Sequence, residues 1–233
     1  MSFNFENQPQ IIEETGDYAV VYKPPKMHCT PGEYGYTLLD WYTANTSHVF
    51  DIVHRLDYET HGLVLFARNE NSFNFFKDLQ NKGEFIKEYS AIVIRNDELE
   101  AGFPPCPMYL RLPWLNYLPF AVESYFRPYG PGRKLVRPVV EDGKKHKEVA
   151  KDKGGFYKTE IISINNNVFT VQIKRGFRHQ IRCHLRWIGH PILNDPLYSQ
   201  QAKGELALRS HALFFTDPAN GERKERRIDA LKC

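Results

Sequence analysis

Apolar residues recur along this chain either in short continuous runs or at intervals of three and four, and each pattern predicts its own elements. Asp17–Tyr22 (DYAVVY) predicts a short strand, stopped at Pro24-Pro25, where the rings fix φ and remove backbone donors. A loop through Pro31 and Gly32 follows. Thr37 then offers an N-cap oxygen to a helix over Thr37–Tyr42, ahead of Leu38, Leu39 and Trp41. Gly62–Ala67 (GLVLFA) is too short and too apolar for a surface helix and predicts a buried strand. Asn71–Gln80 predicts a helix with Phe73, Phe76 and Leu79 on one face, and Phe85–Ile94 a longer strand. Phe156–Ile164 and Val168–Ile173 predict a hairpin around Asn165-Asn166-Asn167. In His179–Ile188 a helix is predicted by the stripe Ile181, Leu185 and Ile188. Arg178, Arg182 and Arg186 recur every four residues on another face, and Gly189 stands where a C-cap glycine would. Leu206–Phe215 predicts the last strand before a turn at Asp217–Gly221.

Strands and helices mix without strict βαβ alternation, so the fold class is α+β around a mixed sheet. Residues 101–156 read as irregular. A proline- and aromatic-rich stretch from Phe103 to Phe120 leads into Arg127, Arg133, Lys134 and Arg137, then Lys144, Lys145, Lys147 and Lys151. With no internal repeat and no Gly/Ser linker, one domain over 1–233 is expected.

Composition narrows the classes. At 42% hydrophobic and 14% aromatic residues, the chain carries enough apolar surface for a core, which argues against disorder. No run approaches 18 apolar residues, so no membrane association is expected. Met1–Gln10 lacks the basic and apolar regions of a secretory signal, and Cys29, Cys106, Cys183 and Cys233 are scattered without a Cys-x-x-Cys pair. Both point to reduced thiols and a cytoplasmic location. The net charge of +3 is ordinary, but its distribution is uneven. Between Glu160 and Asp195 there is no acidic residue, while Lys174, Arg175, Arg178, Arg182 and Arg186 fall there with His179, His184 and His190 among them.

Two constellations can carry chemistry. His54-Arg55-Leu56-Asp57, with Thr60 and Gly62, sets a carboxylate and a guanidinium on a loop feeding a rigid strand; read blandly, it is a surface Arg–Asp pair. Arg178-His179-Gln180-Ile181-Arg182 opens the basic helix, where an N-terminus and added arginines attract phosphate; read blandly, it is a solvated basic face. Metal is not expected: His179 and His184 are five apart and His54 and His61 seven, neither being a helix-borne zinc spacing. Nucleophile elbows and phosphate-binding glycine loops are absent from the sequence.

Five segments together resemble one family. HRLDYETHGLVLFAR (His54–Arg68), KEYSAIV (Lys87–Val93), FRHQIRCHLRWIGHPILNDPLY (Phe177–Tyr198), RSHALFFTDPANGE (Arg209–Glu222) and VVYKPPKMHCTP (Val20–Pro31) are similar, in order, to the signatures of RluA-type pseudouridine synthases. The resemblance implies the pseudouridine synthase catalytic fold, a central, mostly antiparallel sheet flanked by helices and loops. It also implies isomerisation of specific uridines in ribosomal or transfer RNA, without cofactor. By that resemblance Asp57 is the catalytic carboxylate, acting as nucleophile at C1′ or base at C2′. Arg182 accompanies it as a cation, and Arg182→Ala is expected to cost activity with little loss of fold. Tyr89 stacks on the uracil. Arg55 fills the space left by the flipped base, with His54 and Thr60 beside it, and Lys174, Arg175, Arg178, His179, Gln180 and Arg186 hold the RNA.

Two departures stand out: His61 replaces the serine usual before Gly62, and Pro25-Lys26 stand around the expected glycine. An S4-like RNA-binding domain is not expected, and a monomer is. Two other readings compete: a catalytically silent RNA-binding module of the same fold, and a hydrolase pairing Asp57 with Glu59.

Overall fold

The computed structural model describes residues 7–32, 35–98, 100–107, 110, 117–140, 156–199 and 202–232. Lys144, Lys145, Lys147, Lys151 and part of the stretch from Phe103 to Phe120 lie outside the described residues. The described residues form, in order, β1 (Gln10–Glu14), β2 (Tyr18–Lys23), α1 (Leu38–Asn45), β3 (Asp51–Ile52), β4 (His61–Ala67), α2 (Glu70–Lys82), β5 (Ile86–Ile92), β6 (Phe120–Tyr129), β7 (Leu135–Val139), β8 (Tyr157–Asn165), β9 (Val168–Ile173), α3 (Gln180–Trp187), β10 (Leu208–Thr216) and β11 (Arg223–Arg227). They divide into two compact units, Met1–Ser90 with Leu208–Leu231, and Ala91–Ala207 with the last two residues.

In the first unit the strand order is β1-β2-β4-β10-β5, with β3 on β4 and β11 on β10. β2 runs antiparallel to β4, whereas β4 and β10 pair in parallel. Every residue of β2 and β4 is buried, and apart from Lys23 and His61 at their ends both read as unbroken apolar runs. Tyr18, Val20, Leu63, Leu65, Phe76, Phe85, Leu213 and Phe215 make the core, and α2 lies against β4. Both helices start on the caps their sequences offer. Thr37 accepts from Asp40 N while Asp40 returns a bond to Thr37 N, and Asn69 does the same with Ser72.

In the second unit the order β9-β8-β6-β7 is antiparallel throughout, and α3 packs on β6, β7 and β8. The β8–β9 hairpin turns at Asn166, which takes φ of 54°, a conformation asparagine tolerates. Three differences from the sequence reading concern this unit and the sheet edge. Residues 120–139, read as irregular, form β6 and β7. Leu206–Phe215 is followed by a further strand, β11. α3 carries no solvated basic face, since all eight of its residues are buried.

Candidate active site

The loop between β3 and β4 is fixed from both ends before it presents any chemistry. Val53 N donates to Leu65 O (2.9 Å), while Lys77 Nζ and Gln80 Nε2 of α2 donate to Val53 O (2.7 and 3.3 Å). His54 accepts from Leu65 N at Nε2 (3.2 Å) and packs edge-on to Phe85. Its role is therefore to brace β4, which corrects the expectation of an RNA contact. Burial, then the Lys87 and Lys77 charges, hold it well below the usual histidine range, so the ring is neutral. Arg55 is exposed, Asp57 is half-buried, and Thr60 N donates to Asp57 O (3.1 Å) to close a turn. Thr60 itself is buried, and its Oγ1 has no hydrogen-bond partner among the described residues.

A second loop, Pro24–Thr30, is clamped against the first. Lys23 Nζ, wholly buried, donates to Pro24 O (2.8 Å), Met27 O (2.8 Å) and Tyr58 O (3.2 Å). Burial pulls its pKa down to about 8, against the opposing pull of Cys29, Asp57 and Glu59. Cys29 Sγ exchanges hydrogen bonds with the backbone of Leu56, the residue immediately before the carboxylate. Lys23 and Cys29 were absent from the sequence-derived candidates, although the KPPKMHC segment held both.

Tyr89 on β5 comes together with Asp57. Burial, with the Asp57 carboxylate next, pushes the Tyr89 hydroxyl above its ordinary value, and Ser210 of β10 hydrogen-bonds it. Ser210 also donates to Leu63 O (3.2 Å), tying the tyrosine to β4. Parallel pairing of β4 with β10 makes this possible only because Gly62 lacks a side chain. A Cβ there would stand 2.2 Å from Ser210 O, at φ of 121°. His61, in the place of the usual serine, points its ring edge toward Tyr22. Burial, then Arg209 and Lys23, pull its pKa down to about 3, so it is a neutral group.

The remaining candidates lie in the second unit and divide into exposed and interior groups. Lys174 and Arg178 are exposed, Arg178 donating through Nη2 to Arg133 O (2.8 Å). Arg175 lays its guanidinium over the Tyr157 ring. His179, half-buried at φ of 56°, bonds the Tyr198 hydroxyl through Nδ1 (3.2 Å). The expectation of RNA contacts is corrected at two positions. Gln180 is buried, its Nε2 donating to Lys158 O (2.9 Å) and its Oε1 accepting from Phe177 N (2.9 Å). Arg186 is 3% exposed and bonds Glu100 Oε2 (2.8 Å) and Asn96 O (3.3 Å). Both are occupied by the protein itself, because α3 is interior on every side.

Arg182, 2% exposed, donates Nε and Nη2 to the two carboxylate oxygens of Asp195 (2.8 and 2.7 Å). Asp195 also accepts from Leu197 N and Tyr198 N, so the arginine sits in a fork whose other side is fixed. The signal for Asp195 was its place as the residue ending the acid-free stretch.

Fold and site thus define an α+β protein with a half-buried carboxylate on a braced loop beside a buried tyrosine. The chain belongs to the RNA pseudouridylate synthase family, whose model matches residues 17–187. Over 151 residues it is 32% identical to an uncharacterised RNA pseudouridine synthase of Chloroflexus aurantiacus, covering 63% of this chain and 38% of that protein. It is 28% identical over 198 residues to the ribosomal large subunit pseudouridine synthase D of Blochmanniella floridana, covering 81% of this chain and 53% of the relative. The chain therefore spans well under two thirds of these relatives' length. In fold it is similar to human RNA pseudouridylate synthase domain containing 1, with a TM-score of 0.66 at 17% identity over 98% of this chain and 86% of that one.

Proposed function

We propose that the protein isomerises specific uridines in ribosomal or transfer RNA to pseudouridine, with Asp57 as the catalytic carboxylate and the target base flipped out of its stack. The reading is carried by the Asp57 carboxylate, on the braced loop before β4, acting on the buried hydroxyl of Tyr89, which Ser210 ties to β4. Tyr89 is 4% exposed, so a uracil reaches it only by leaving its stack, at a cost of a few kcal/mol. The reaction breaks the bond from C1′ to N1 and forms one from C1′ to C5. N1 ends with a proton, and the C5 proton leaves for solvent. No electron is gained or lost, so this chain's residues need only supply the carboxylate, hold the ring and exclude water. Ribosomal RNA as a substrate draws support from the Blochmanniella relative, whose name describes a large-subunit enzyme.

The test compares RNA from a strain lacking the gene with its parent, mapping pseudouridines as carbodiimide-dependent reverse-transcription stops. Loss of one or a few sites, restored by the wild-type gene and not by Asp57→Asn, is the expected result. No lost site, together with no conversion of unmodified transcripts by purified protein, overturns the activity and leaves an RNA-binding module.

A further inference from the structure

The residue after the carboxylate is an exposed aromatic. Tyr58 is 42% exposed, and its ring packs against that of His28, centroids 4.6 Å apart and tilted by 36°. Side chains on loops usually wander, but this pair is held through its backbone. Tyr58 O accepts from the buried Lys23 ammonium (3.2 Å) and from Met27 N (3.3 Å). His28 O accepts from Leu38 N and Cys29 O from Leu39 N, the first two residues of α1. Each ring is thus anchored to a separate element of the first unit, and Lys23 and Cys29 join the two loops beneath them. A preset aromatic surface loses little freedom when something stacks on it.

Two more features say what that something is. Tyr58 is joined by one peptide bond to Asp57, so whatever rests on its ring lies within a nucleotide or so of the group being modified. Arg55, exposed on the same loop, adds a cation suited to the connecting phosphate. Base stacking on an aromatic is tolerant of sequence, because every base has a π-face.

We propose that Tyr58, backed by His28, is the stacking platform for a nucleobase next to the target uridine, holding the strand open while the target is flipped. The inference rests on Asp57 as the catalytic carboxylate and adds a positioning group for the RNA that the chemistry itself does not require. It differs from the role of Tyr89, which faces the reacting base.

The experiment uses the full chain and unmodified transcripts of the source organism's ribosomal and transfer RNAs, labelled with tritium at uridine C5. Release of label reports isomerisation, and filter binding of the same transcripts reports affinity. Tyr58→Leu is expected to raise KM and Kd about tenfold, with the loss falling on KM and not on kcat, while Tyr58→Phe behaves as wild type. Melting curves of each variant confirm an intact fold, as substitution of an exposed ring should leave it. Wild-type KM and Kd in Tyr58→Leu overturn the platform, and the role of Asp57 then stands on the inactivity of Asp57→Asn. Equal losses in Tyr58→Leu and Tyr58→Phe assign the effect to the hydroxyl and also overturn stacking. If Asp57→Asn still releases label, the catalytic reading fails, whereas a tenfold Kd loss in Tyr58→Leu still supports stacking on RNA.

Discussion

At the scale of single residues, three backbone and side-chain details make opposite demands. Lys26 holds φ of 57° at the place where the resembled family carries glycine, and it is exposed. A side chain in that region costs about 1–2 kcal/mol, part of which glycine gives back in unfolded-state entropy. Lys26→Gly should therefore stabilise the protein by about 0.5 kcal/mol or more, read as a raised urea midpoint at unchanged m-value. Gly62→Ala should do the reverse, losing about 3 kcal/mol through the collision with Ser210 backbone and the strained φ, and displacing the partner of Tyr89. Arg182 shows where structure alters a sequence expectation. Removing a guanidinium bonded twice to a fully buried carboxylate leaves Asp195 uncompensated, so Arg182→Ala should cost about 3–5 kcal/mol of stability. Its effect on fold is thus large, and activity loss in that variant must be read beside a denaturation curve.

Elements were legible where one physical signal dominated. β2 and β4 announced themselves because strands buried on both faces are apolar except at their ends, Lys23 and His61, and α1 because Thr37 offers an N-cap oxygen ahead of Leu38 and Leu39. β6 alternates buried Val122, Ser124 and Phe126 with exposed Glu123 and Arg127, but an inward serine and Pro128 conceal the period. β7 tolerates Pro138 because it is the last strand of its order, and β11, RKERR, has no apolar residue to read. Asp57 and Tyr89 were named by motifs, whereas Lys23 acts through a bond to Tyr58 on another loop and Asp195 through Arg182 on α3. α3 differs: its arginines were expected to serve RNA and the catalytic carboxylate because sequence shows charge and not the acids, Asp195 and Glu100, that meet Arg182 and Arg186. From that follows a contrast between two basic residues of the same acid-free stretch, Arg186 and Lys174. Arg186→Gln should destabilise the fold by about 1–3 kcal/mol and leave the salt dependence of RNA binding as in wild type. Lys174→Gln, at an exposed position, should spare the fold and reduce the slope of log K against log salt by about 0.7–0.9. A shallower slope in Arg186→Gln would show that this guanidinium reaches phosphate after all.

Across the described residues, histidines whose charged form burial disfavours shape the response to acid. His54 and His61 lie in the first unit, His184 and His190 in the second, and burial lowers the pKa of each. For His61 and His184 the folded value falls to about 3, while an unfolded histidine titrates near 6.5. Below about pH 6.5 the unfolded chain therefore binds protons that the folded one refuses, so stability rises with pH between about 3 and 6.5 and is lost on acidification through that window. By pH 5.5 each of these two groups should have removed about 1.4 kcal/mol relative to pH 7.5. Neither can relieve the loss by accepting a proton cheaply. His184 is hydrogen-bonded to Ser124 and Thr159 by both ring nitrogens in a sealed interior, and His61 faces the charges of Arg209 and Lys23. Urea midpoints at pH 7.5 and 5.5 measure the sum. His61→Ser, which returns the residue usual in the resembled signature, should shrink the difference between the two pH values by about 1.4 kcal/mol even if it lowers stability at both. An undiminished difference would mean that the imidazole at position 61 accepts its proton in the folded state, and the acid sensitivity would then belong to the other three histidines.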